Sequence, residues 1–422
     1  MRNQVLCVAA ALVLAAMAVP ALGAAKGWDV RRQGDLFVID TPHYQIKTDH
    51  EPAVAQNIAT HQELVYAELF RRMGRAKAQA DVMRYQIYAC TSLDRTRQIV
   101  DAETSARANF WRVPLTGYGA PEAIDSLFEV LRREGCRQFL AQFMGETCPL
   151  WLAQGMTAYF ANGEYAGGKL TLGQAPILPV YSLKKMHKEG KLLPLARVLN
   201  MGGQEFSAAA KVESSESHAQ VVQTWGIIHF LELADRGKYN APYFQYLALL
   251  ARRKTHAEAW PAAFGADLAG FERRWIEYIT ALEPTCGFDC RTNLKLLGFT
   301  ILPNLSRFGG CKNMAEARAV VLSGGLSQGW TYTLGNGLQV SAGDVEVIKA
   351  LFRCPEDKSK GDEPSYDFVI GGRDEAPVIR CNHHAGYIIE TSLAEDPAKP
   401  GTKLLDVITR PRKPGDAPAK TK

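Results

Sequence analysis

Apolar positions recur along this chain in several textures, and each predicts a different kind of element. Phe37-Val38-Ile39 and Tyr44-Gln45-Ile46-Lys47-Thr48 flank a Thr-Pro turn and predict two short strands. Val54, Ile58, Val65 and Leu69 return at near-helical spacing, which predicts a helix from Pro52 to Met73 with Gly74 as its stop. Arg84 to Ala89 alternates like a strand, and Ser92 stands where it would cap a short helix. From Pro121 the period becomes helical for a long stretch. Ile124, Leu127, Leu131, Phe139 and Phe143 outline the buried stripe of a helix ending near Gly145. Glu146-Thr147-Cys148-Pro149 breaks it, and Trp151 to Phe160 forms the next helix. Residues 163–211, rich in Gly, Lys and Pro, predict loops and short helices, and three further helices are expected over 219–235, 241–253 and 267–282.

The texture changes near Pro284. Beyond it come many glycines, five cysteines and short apolar runs such as Tyr366-Asp367-Phe368-Val369-Ile370, which predict a separate α+β module over 284–408. Residues 409–422, rich in Pro and Lys, read as a disordered tail. At the other end, Arg2 precedes an apolar run from Val5 to Val19, and small residues follow at Pro20 to Ala24. That pattern predicts a signal peptide over 1–23, cut after Gly23; the run is short for a membrane span, which needs about 20 apolar residues. The expected destination is therefore the periplasm or the exterior, with no transmembrane segment after cleavage.

An oxidising compartment gives the eight cysteines left after cleavage a meaning. Cys136 and Cys148, on either side of a helix end, are a candidate disulfide. The remaining connectivity is open, and Cys90 is the candidate to bridge the two regions. Of 422 residues 47% are hydrophobic and 22% charged, with a net charge of only +5, which fits globular material and argues against nucleic acid as partner.

Chemistry concentrates in Arg133-Glu134-Gly135-Cys136-Arg137 and in Trp151-Leu152-Ala153-Gln154-Gly155-Met156-Thr157-Ala158-Tyr159-Phe160. These segments resemble the gluzincin zinc peptidases, and particularly bacterial secreted peptidase-like proteins of unassigned function. There the first element reads H-E-x-x-H and the second W-L-x-E-G-x-A-x-Y-F. Two His at i and i+4 on one helix face bind zinc, the Glu between them is the general base, and a carboxylate from the second helix is the third ligand. The resemblance extends to His43 to Asp49, to Gln223 to Leu231, and to Phe264-Gly265 with Trp275 to Tyr278, covering roughly residues 35 to 282. It implies a mainly helical peptidase-like domain over 24–283 with a small N-terminal β element, α+β in class.

The ligand positions are replaced. Arg133 and Arg137 stand where the two His belong and Gln154 where the Glu belongs, while Glu134 keeps the base position. A guanidinium has no lone pair to give and repels a cation, so the zinc site is expected to be lost, no cofactor is expected, and Glu134 would be vestigial. The expected function is that of an exported pseudopeptidase that binds a peptide, a protein or an envelope component, or that serves a structural role there. Two uses of the altered positions stay open: Glu134 bridging the arginines, or the arginines holding an anionic group. The alternative is a hydrolase with a non-standard site; Cys136, beside two arginines, is one nucleophile to consider. His229, in an apolar helix, reads as a core residue, and His218 lies three turns away from it. His383-His384 with Cys381, Cys286 and Cys290 would suit a metal less well than disulfides suit those cysteines.

Overall fold

The computed structural model describes residues 27–73, 84–106, 115–119, 124–166, 168–205, 215–285, 290–302, 311, 313–323, 331–333, 339–341, 345–352, 366–369, 378–382, 387–395 and 403–411. The expected signal peptide, Gly74, Pro121, Cys286, Cys354, Ile370, His383-His384 and nearly all of the expected tail lie outside them, as does the side chain of His218. The chain is a mixed α+β protein, mainly helical, with several small sheets.

Five strands, β1 (Val30–Gln33), β2 (Leu36–Asp40), β3 (Tyr44–Thr48), β4 (Tyr85–Cys90) and β5 (Leu115–Tyr118), form one sheet in sequence order. β1, β2 and β3 run antiparallel; β3, β4 and β5 run parallel, because α1 (Pro52–Met73) and α2 (Leu93–Ala106) supply the crossovers. Register places Ile39 opposite Ile46, Ile46 opposite Ile87 and Ile87 opposite Leu115. That row of apolar side chains is the floor on which Ala55, Ile58 and Ala59 of α1 pack, together with Leu127 and Leu131 of α3 (Ile124–Phe143).

The helical part is organised around α4 (Leu150–Ala161) and α7 (Ser215–Leu233). Between them lie the hairpin of β6 (Glu164–Ala166) and β7 (Lys169–Thr171), α5 (Ile177–Lys188) and α6 (Leu195–Asn200). After α7 come α8 (Asn240–Ala251), α9 (His256–Phe264) and α10 (Leu268–Ala281). Their core is aromatic, with Trp151, Trp225, Trp275, Tyr243, Tyr246, Phe160 and Phe230 all buried together. The pattern expected over 52–73 matches α1 at both ends, and the later helices agree to within a few residues. Sequence periodicity did not reveal β1, β5 or α9. β1 is an exposed edge with three charged or polar positions, β5 is four residues long, and α9 carries Pro261 in its interior.

A second apolar cluster gathers α11 (Cys290–Ile301), α12 (Met314–Leu322), α13 (Val345–Leu351) and the sheet β10 (Asp367–Val369), β11 (Val378–Cys381), β12 (Tyr387–Glu395) and β13 (Lys403–Pro411). β8 (Thr331–Thr333) and β9 (Gln339–Ser341) form a separate hairpin. The clusters meet on α5. Ile177, Leu178 and Tyr181 face the second cluster, whereas Val180 and Leu183 belong to the first.

Candidate functional site

Helix α3 presents two faces over residues 132–137. Arg132 and Cys136, one turn apart, point inward and are 6% and 0% exposed. The side chains of Arg133, Glu134 and Arg137 point outward and are 39%, 29% and 53% exposed. The inward guanidinium has a defined task. Arg132 donates from Nε to Phe160 O (3.0 Å) and from Nη2 to Ala161 O (3.0 Å), satisfying the last carbonyls of α4, where a cation also suits the helix dipole. Its Nη1 lies 3.4 Å from Nε2 of His61, whose pKa burial pushes well below the ordinary value, with the Arg132 charge acting in the same direction.

The outward residues form a closed ion cluster. Arg137 Nη1 donates to both carboxylate oxygens of Glu134, at 2.9 and 2.7 Å. Arg133 Nε stands 3.5 Å from Glu134 Oε1, and its Nη1 is 3.6 Å from Glu129 Oε1. Half-exposed pairs of this kind are each worth about 0–1 kcal/mol, so the cluster neutralises charge more than it stabilises the fold.

Gln154, the remaining position of the set, keeps different company. It lines a cavity of about 10 Å³ with Leu150, Trp151, Val198, Met201, Gln220 and Thr224, room for one water. Among the described residues no polar contact joins Gln154 to Arg133 or Arg137. Nor is there among them a group of three His, Cys, Asp or Glu placed to hold a metal ion.

The cysteine expectation needs correcting. Cys136 and Cys148 are both free thiols, not a bridge. Cys136 turns its sulfur toward Thr157 on α4, while Cys148 Sγ points to Pro149 O at 3.9 Å. Burial decides the chemistry of both. It pushes Cys148 up to about 12 and Cys136 higher still, overriding the favourable charges of Arg72 and Arg137, so neither is an activated nucleophile.

His229 and His43 are each held by specific partners. His229 is buried, with Nδ1 2.7 Å from the hydroxyl of Tyr278. His43 Nδ1 is 2.7 Å from Glu63 Oε2, its backbone N–H donates to Glu63 Oε1 (2.9 Å), and its ring stacks on Tyr66 at 3.7 Å. No signal in the sequence marked His43 or Glu63 as a pair, because they meet only through the β2–β3 turn and α1.

No protein-family model, curated protein or solved structure matches this chain.

Buried neutral histidines make stability depend on pH. Burial holds His229 at about 4, against an ordinary 6.5, and also lowers His61, His50 and His256. Between those values the unfolded chain binds a proton that the folded chain refuses. The stabilisation is therefore complete above about pH 6.5 and falls as pH drops toward 4. His229 alone should contribute on the order of 2–3 kcal/mol to that fall. Urea unfolding at pH 7, 5.5 and 4.5 should show the decline, and His229→Gln should flatten it; equal slopes for the two proteins would reject His229 as a source.

Proposed function

We propose that this chain is an exported, catalytically inactive relative of the gluzincin peptidases that acts at the cell envelope by binding a peptide or protein. The observation that supports this most is the state of Glu134. On a working peptidase scaffold that carboxylate would be open to a metal-bound water; here Arg137 takes both of its oxygens and Arg133 stands beside it. The guanidiniums occupy the i and i+4 positions on α3 that zinc chemistry would give to imidazoles. Arg133, Glu134 and Arg137 stay partly exposed, which suits a surface that meets a partner better than a packed structural plug.

Metal content and zinc affinity test the proposal. The natural protein is expected to purify without zinc, because guanidiniums hold the positions at which imidazoles would ligate it. Tight stoichiometric zinc in the natural protein would refute the proposed loss. The rival reading, a hydrolase with a different site, draws on His43, whose imidazole Glu63 orients while the side chain stays 38% exposed. Peptide hydrolysis that disappears in His43→Ala would favour it.

A further inference from the structure

We draw no further inference here: the strongest candidate, the small cavity between α4 and α7 lined by Gln220, whose buried amide has no hydrogen-bond partner among the described residues, has room for one water and belongs to the site already described around Gln154.

Discussion

Replacing Arg72 by alanine is expected to cost about 3–5 kcal/mol, because it strands a buried carboxylate. Arg72 is 3% exposed and reaches across from α1 to α7, with Nε 2.6 Å from Glu232 Oε1 and Nη2 3.3 Å from Oε2. Its Nη1 donates to Glu68 Oε2 and to Glu68 O, and its guanidinium lies over the ring of Phe160 at 5.3 Å. Burial alone would lower the pKa of Arg72, but Glu232 more than offsets that and raises it. Truncating either partner therefore leaves the other charged and dry. A paired Arg72→Met/Glu232→Leu variant should recover much of the loss, since apolar side chains fill the same volume without the desolvation cost. Urea unfolding of the two single variants and the pair gives the coupling directly. A loss below about 1 kcal/mol for Arg72→Ala, the range of exposed pairs, would show that the pair is hydrated in solution.

Gly155→Ala is the second substitution with a large expected effect, and its sign opposes helix propensity. In an exposed helix the added methyl would gain roughly 1 kcal/mol. At Gly155 a Cβ would stand 2.5 Å from Thr224 O and 2.7 Å from Ile228 Cγ1, so α4 would have to back away from α7. A destabilisation of about 1–3 kcal/mol is expected, with Gly203→Ala, which meets nothing within 4 Å, near neutral as control. Thermal melts compare them, and a stabilised Gly155→Ala protein would mean that the two helices do not approach so closely.

Gly155 also shows what the sequence could and could not say. Its place after Gln154 was readable as part of a motif, and its cause, the contact between α4 and α7, was not, because the contact joins positions distant in the chain. Arg72 left a fainter trace. It falls three residues after Leu69 on the apolar stripe of α1, and a charge on such a stripe signals a buried partner; Glu232 in the apolar run of α7 is the matching signal. The helices themselves were legible because their apolar stripes span several turns. β5 is too short to carry a period, and α9 is interrupted by Pro261. At the candidate site, identity was readable and pairing was not. Arg133, Glu134 and Arg137 sit within one turn and do meet, whereas Gln154 turned out to face Gln220 and Thr224. The Cys136–Cys148 bridge was inferred from compartment and spacing, which do not encode where each sulfur points.

Helix α5 bears on the order in which the molecule can be made. Its Ile177, Leu178 and Tyr181 are covered by a cluster built from Leu294, Leu297, Ile379 and Ile389, and Ala175 just before it exchanges hydrogen bonds with Thr285, at 2.7 and 2.9 Å. During synthesis, α5 leaves the ribosome long before those partners exist. The first part of the chain must therefore wait with an apolar helix face uncovered, a state open to aggregation and to chaperone capture. Expression cut off near Pro284 would freeze the protein in that unfinished state.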